Sequence, residues 1–440
     1  MSPTPIQTDA PVRANRSSFA FLTGLLLTAG IAVQQDGWGR VMRDTGLAQL
    51  PQTEGLQPKP GQGMTTQDWR SAATAWRYFE SHYRAETGLV DAIHDHPSAT
   101  LWDQGSYLMA LLAAKGLGIV DDGTFLSRSD AFLSGLERLP LFEGRLPNKA
   151  YDTRSLAMVD YANTPVPEGI GWSALDVSRL LMALRILEIQ TPEYGPRIRA
   201  LLATWDLAAM TAEGRLWGSS RQDGQTRYHQ EGRIGYEQYG ARAAALWGLD
   251  VLGASTARPI MAWEEVSGIN IGIDRRRAKD FGAITPVVSE PYVLQAFETG
   301  LNAEGRLLAS RLYQAQEARA RQTGQATMVS EDHIDQAPHF LYGAVFGNGA
   351  DWAVLAEDGS AHDALRTVSL KAAFAWQALY GTPYTEEVVV GLDHLAGEHG
   401  WYAGQYEADG RVNMALTLNT NAVVLEALHY KHKGPLLLVE

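Results

Sequence analysis

The chain contains no cysteine. That excludes disulfides, thiolate metal sites and a cysteine nucleophile, and it fits an oxidising compartment where stray thiols are a liability. Positive charge is also scarce: 37 Lys and Arg stand against 50 Asp and Glu, giving a net charge of −13. Gripping a phosphate backbone needs the opposite balance, so no nucleic-acid partner is expected. Common catalytic signatures are missing too. There is no G-x-S-x-G elbow, no P-loop, no G-x-G-x-x-G after a strand and no H-E-x-x-H. The loops "HDH" (His94–His96) and "SEDHID" (Ser330–Asp335) lack helical i, i+4 His spacing and an EF-hand pattern. No metal and no cofactor are therefore expected.

Only one hydrophobic run stands out. Arg13 and Arg16 precede Phe19–Val33, which carries no charge over 15 residues. At 1.5 Å per residue it covers roughly 22 Å, short for a bilayer core of about 30 Å. A charged region followed by an apolar one is the pattern of an export signal. Residues 1–35 are read as a signal peptide or membrane anchor, which places the protein in the periplasm or cell envelope. A retained helix over residues 19–33 would tether it to the inner membrane. Residues 36–65 include "LPQTEGLQPKPGQGM", whose Pro, Gly and Gln content reads as a linker. Residues 66–440 form one domain.

Helical periodicity dominates that domain. Six segments are tightly apolar and rich in small residues, beginning at Leu101, Gly171, Gly235, Ser289, Thr367 and Thr417. Between them lie charged, amphipathic segments near Gln67–His82, Gly123–Leu139, Pro192–Asp206, Arg258–Val266, Asn302–Gln322 and Tyr384–Leu395. Outer and inner helices alternate six times, which predicts two concentric rings: an all-α (α/α)6 toroid. The connections are lopsided. Inner-to-outer links take a few residues, whereas outer-to-inner links are long and must gather on one rim. Long loops on a rigid scaffold are where binding and catalysis concentrate.

Acidic and aromatic residues recur on that rim. Candidates for catalysis are Glu237, Glu231, Asp103 and Glu290. Candidates for substrate contact are Trp102, Tyr107, Asp160, Trp172, Asp176, Arg233, Tyr236, Tyr239, Tyr292, Glu331, Asp332 and Asn419. Carboxylates set among flat aromatic faces suit glycoside hydrolysis. That reaction needs one carboxylic acid to protonate the leaving oxygen and a second carboxylate as base or nucleophile. Competing explanations apply residue by residue. Asp103, Asp176, Glu237 and Glu290 sit where helix capping alone favours an acid. Glu231 precedes its helix, and an ion pair with Arg227 or Arg233 is its plain alternative.

The combined segments "ATLWDQGSYLMALLAAKGLGIV", "LPNKAYDTRSLAMVDY", "GIGWSALDVSRLL", "QEGRIGYEQYGARAAALWG", "VSEPYVLQAFETGL" and "LTLNTNAVVLEALHYK" resemble a bacterial envelope family. It is known as a domain of unknown function, labelled glucoamylase-like and grouped with six-hairpin glycosidases. The resemblance covers roughly Gln67 to Leu437. "GYEQY" (Gly235–Tyr239) is more distantly similar to a helix start in endo-β-1,2-glucanases, although their acid aligns with Gln238 here. The resemblance implies a β-glucan-active enzyme of the periplasm. The leading expectation is an exported glycoside hydrolase acting on an envelope or extracellular glucan. A polysaccharide lyase using Arg227, Tyr228, His229 and Arg233 is the second, and a glycan-binding scaffold the third. Rim carboxylates all neutralised by ion pairs would favour the scaffold; a partly buried acid without a cationic partner would favour the enzyme.

Overall fold

Twelve helices are found in the computed structural model, which describes residues 55–437. The expected hydrophobic helix over residues 19–33, with its tether, lies outside the described residues. Five helices form the outer layer: α1 (Thr66–Ser81), α3 (Asp122–Glu137), α5 (Gly195–Leu202), α9 (Ala303–Thr323) and α11 (Pro383–Gly391). Six are inner: α2 (Leu101–Gly116), α4 (Ala174–Gln190), α6 (Tyr236–Ala245), α8 (Glu290–Thr299), α10 (Leu370–Tyr380) and α12 (Leu418–Lys433). The remaining α7 (Ala278–Phe281) is a single turn.

The inner helices close a ring. α2 packs on α4 and α12, α6 on α4 and α8, and α10 on α8 and α12. Small residues permit the close approach. A Cβ at Gly105 of α2 would lie 2.9 Å from the Leu180 backbone nitrogen of α4. Helix starts are set by side-chain caps. Thr100, Ser173, Ser369 and Thr417 each accept a backbone N–H three residues on, worth about 1 kcal/mol apiece.

One polar knot crosses the apolar centre. Arg179 of α4 is fully buried and ion-pairs with Glu298 of α8 and, at 2.6 Å, Glu426 of α12. It also donates to the Tyr239 hydroxyl of α6 at 3.0 Å and to Ser106 of α2 at 3.2 Å. Five of the six inner helices thus share one guanidinium. Burial raises both carboxyls, Glu298 to about 8.

Two expectations need correction. The fourth outer helix, placed at Arg258–Val266, is instead a strand, Met261–Val266, paired antiparallel with Ile269–Asp274. Ser267 and Gly268 both take positive φ, as a tight two-residue hairpin turn requires. Val266, Ile271 and Ile273 are buried, and α9 packs against the second strand. The Ser-Gly pair and the flanking β-branched residues were the signal. The architecture is also not all-α. The long rim segments fold into short antiparallel hairpins, among them Arg215–Gln222 with Gln225–Gln230, and Gly400–Tyr406 with Val412–Leu416.

The described part of the expected linker docks at the opposite rim. Lys59 and Gly61 donate backbone bonds to Leu379 and Tyr430, near the C-terminal ends of α10 and α12. Among the described residues, no helix is long and apolar enough to cross a membrane.

Candidate active cleft

The N-termini of the inner helices face the hairpin rim, and their first turns carry the chemistry. At the head of α4, Ser173 caps the helix by accepting the Asp176 backbone N–H at 3.1 Å. Its hydroxyl is also 3.0 Å from Asp176 Oδ1 and 3.1 Å from Glu231 Oε2. Those two carboxyl oxygens are therefore no more than about 6 Å apart. One hydroxyl has one proton to donate, so it satisfies both carboxyls only if one of them is itself protonated.

The environments decide which. Glu231 Oε2 accepts the Leu175 backbone N–H at 3.1 Å, at the positive end of α4. Burial pushes Glu231 up, but hydrogen bonding and charge from His229, the charge of Lys149 and the Leu175 amide outweigh it, holding the carboxyl below its ordinary value. Asp176 goes the other way. Burial first, then the charge of Glu231, raises it to about 8. At neutral pH the pair is an acid beside an ionised carboxylate, bridged by a hydroxyl. Neither is ion-paired to Lys or Arg among the described residues; His229 lies 3.5 Å from Glu231. The strand below is cut to fit: a Cβ at Gly218 would overlap the Glu231 carboxylate.

Across the cleft a second acidic group is neutralised. Lys371, in the first turn of α10, ion-pairs with Glu290 of α8 and lies 3.8 Å from Asp332. Asn419 of α12 donates to both Glu290 oxygens at 3.0 Å. Burial raises Glu331 and Asp332 to about 7 each. Asp103 of α2 accepts the Thr100 amide and hydroxyl in a capping box, and burial raises it. Its charge also acts on Asp176. Trp102 meets Tyr236 edge-on at 5.4 Å. Because α2 and α6 are separated by α4 in the ring, this contact forms a floor. Both rings stay partly exposed, as a sugar platform requires. Tyr161, buried against Ala150, Val159 and Ile170, and Tyr342 lie within electrostatic reach of Asp176 and Glu357, and burial raises Glu357 to about 7.

Several sequence candidates fall outside the cleft. Glu237 is 1% exposed and locked by Arg276 at 2.7 Å and Arg215 at 3.3 Å. Burial still raises it, against both arginines, yet it borders a separate cavity of about 150 Å³ with Glu213, Thr256 and Ile260. Tyr107 is core, stacked on Phe79 and edge-on to Phe132. Trp172 is fully buried, its indole donating to the Trp217 carbonyl. Tyr239 belongs to the Arg179 knot, and Tyr292 is buried near Asp274 and Glu304. Asp160 organises a turn by accepting the amides of Ala162 and Thr164. Sequence reasoning missed Ser173, Lys371, Glu357 and Tyr342. Lys371 had a signal, a lone cation inside an apolar inner helix; Glu357, in "EDGS", reads only as a turn.

The family model described as "Protein of unknown function (DUF3131)" matches residues 70–434. No curated protein matches the chain. Solved structures do. An endo-β-1,2-glucanase from Chitinophaga pinensis, in complex with sophorotriose and glucose, superposes with a TM-score of 0.63 at 13% identity, over 84% of this chain and 93% of that one. A "putative glucoamylase" from Bacteroides caccae gives 0.59 at 15% identity, over 82% and 92%. An endo-β-1,2-glucanase from Talaromyces funiculosus in complex with sophorose gives 0.51 at 14% identity, over 82% and 84%. At these identities the likeness is one of fold: the six-hairpin architecture of glucoamylase-like proteins.

Proposed function

We propose an activity from the premise that this chain belongs to the DUF3131 family: it is an exported glycoside hydrolase that cleaves a β-linked glucan of the cell envelope or extracellular matrix. One observation carries the reading. Asp176 and Glu231 share the Ser173 hydroxyl beside the Trp102–Tyr236 floor, one held protonated and one ionised, with no Lys or Arg pairing either. A scaffold has no need of such a pair; of the four residues a lyase would draw on, Arg227 and Tyr228 are exposed, Tyr228 lying against Trp172, His229 is turned onto Glu231 at 3.5 Å, and Arg233 Nε is held by the Ile284 carbonyl.

In this mechanism Asp176 delivers its proton to the glycosidic oxygen as the bond to the anomeric carbon breaks. Glu231 stabilises the positive charge growing on the sugar ring. A water supplies hydroxide to the anomeric carbon, and its proton returns to the carboxylate pair. Burial and the neighbouring charge keep the acid loaded at neutral pH. Asp103, Asn419 and Tyr236 are placed to contact the sugar. β-Linkage is supported by the oligosaccharides bound in the two glucanases of like fold. Export rests on Arg13, Arg16 and the uncharged run Phe19–Val33.

The test is incubation of the purified protein with β-1,2-, β-1,3-, β-1,4- and α-linked glucans, with products followed by NMR. Shortened β-glucan chains are expected. An unsaturated product from an acidic polysaccharide, or no product from any glucan, would overturn the assignment.

A further inference from the structure

Lys149 is the odd cation of the cleft. It lies in the turn between strands Leu146–Pro147 and Ala150–Asp152, fixed by its backbone N–H on the Gly171 carbonyl at 2.8 Å. The residue is 6% exposed, yet among the described residues its ammonium makes no hydrogen bond and no ion pair. The nitrogen is also not sealed from solvent. The residue is thus almost wholly packed away while its unpaired ammonium keeps an opening to solvent, where an anion could reach it.

Arg233 repeats the pattern. Its Nε donates to the Ile284 carbonyl at 2.7 Å, which fixes the guanidinium plane. Its two terminal nitrogens have no partner and remain open to solvent. The charges of both residues act on Glu357, Lys149 acts also on Asp176 and Glu231, and Arg233 on Tyr342. Both cations therefore lie within electrostatic reach of Glu357.

The local charge does not balance. Lys149 and Arg233 bring two positive charges, and Glu231 one negative. Burial raises Asp176 and Glu357, and neither of them, nor Glu231, lies within ion-pair distance of Lys149 or Arg233 among the described residues. Arg233, held in plane with two free N–H groups, is shaped for a planar or tetrahedral oxyanion, and Lys149 supplies a point charge beside it.

We propose that Lys149 and Arg233 form a subsite for an anionic substituent on the glycan, a carboxylate or a phosphate ester, so that the preferred substrate is an acidic derivative of the glucan rather than the plain polymer. This rests on the glycoside hydrolase reading above. It differs from the alternative that Lys149 serves only to keep Glu231 ionised, which would alter the pH profile but not the choice of substrate.

The experiment measures binding by calorimetry on the full chain carrying Asp176→Asn, so that ligand is not consumed. Three probes are compared: a β-1,2-linked glucose oligosaccharide, the same oligosaccharide oxidised to a carboxylate at one primary hydroxyl, and the same oligosaccharide phosphorylated there. At least one acidic probe should bind about ten-fold more tightly than the neutral one, as charge-assisted bidentate bonding implies. The carboxylate and phosphate arms tell the two sources apart. The acidic-to-neutral ratio should fall to about one in Lys149→Met and in Arg233→Met, weaken with added salt, and return in Lys149→Arg. Unchanged thermal melting of each variant guards against misfolding. Equal binding of all three probes, or a preference that survives both Met variants, overturns the subsite while leaving the hydrolase reading intact. Failure of every probe to bind overturns the subsite as proposed for a β-1,2-linked glucan, while the hydrolase reading is judged separately by the screen across linkages.

Discussion

If Asp176 and Glu231 share the Ser173 hydroxyl, removing the charge of Glu231 must change the acidity of Asp176. The perturbation is Glu231→Gln, which keeps size and hydrogen bonding but deletes the negative charge. The two oxygens are at most about 6 Å apart. At an effective dielectric of about 20, unit charges at that distance repel by about 3 kcal/mol, equivalent to about two pH units. Burial, the larger cause of the elevation, is untouched. Asp176 should therefore titrate near 8 in the parent protein and near about 6 in Glu231→Gln, still above the ordinary value of about 3.9. The assay is carbon NMR of protein carrying labelled aspartate carboxyls, with the Asp176 signal assigned by its loss in Asp176→Asn. A parent titration near 4, or a midpoint that does not move in Glu231→Gln, would refute the coupled pair.

Three further outcomes are expected. Gly218→Ala should displace the Glu231 carboxylate and cut activity at least about ten-fold while leaving circular dichroism unchanged, because the three atoms nearest the added Cβ all belong to the Glu231 side chain; full activity would contradict the placement of Glu231. Arg179→Met strands Glu298 and Glu426 in the centre of the ring, and losing one partner of a buried ionic group costs about 3–5 kcal/mol. For a domain this size that lowers the melting temperature by about 4–6 °C, and a shift under about 1 °C in scanning calorimetry would count against the knot as a structural tie. Stability should also rise as pH falls from about 8.5 to about 6.5. In the folded state Asp176 and Glu298 sit near 8, and Glu331, Asp332 and Glu357 near 7, all above their unfolded values. The fold thus binds protons that the unfolded chain has lost, and that stabilisation fades as pH climbs through those values. The histidines with lowered values, His82, His96, His333, His339 and His429, oppose this mainly below about 6.5, where the unfolded chain takes up their protons. A melting temperature that climbs toward pH 8.5 would reverse the sign.

The ring of inner helices was legible because its signal is redundant. Each of the six segments is rich in apolar and small residues, four start at or near a capping Ser or Thr, and four are followed by an outer helix within a few residues. The expected outer helix at Arg258–Val266 failed where "MAWEEV" can satisfy either period, and only the Ser267–Gly268 turn settles it. The rim hairpins escaped notice because their strands are short and the polar face is broken by glycines. Site residues divided along a physical line. Asp176, Trp102, Tyr236 and Asn419 stand in first turns of inner helices, which open on the hairpin rim, while Glu231 precedes its helix and Asp332 lies in the rim strand Glu331–His333. Tyr107, Trp172, Tyr239 and Tyr292 lie on the same helices or their approaches, but their side chains turn to neighbouring elements, and sequence spacing does not reveal which way. Glu237 shows the same effect: it turns to Arg276 and Arg215 rather than toward the Asp176–Glu231 pair, and one position on a helix swings a side chain by about 100°. Ser173 carried no signal beyond a cap, since its second role depends on a residue 58 positions away.

The central claim is that the Asp176–Glu231 pair performs glycoside hydrolysis. Its most direct test is the initial rate on the glucan identified by the substrate screen for three variants of equal thermal stability: Asp176→Asn, Glu231→Gln and Glu237→Gln. The account predicts losses of about a thousand-fold for the first two and a rate within a few-fold of the parent for the third. Rates near the parent for Asp176→Asn and Glu231→Gln, or an inactive Glu237→Gln with a parent-like melting profile, would contradict it.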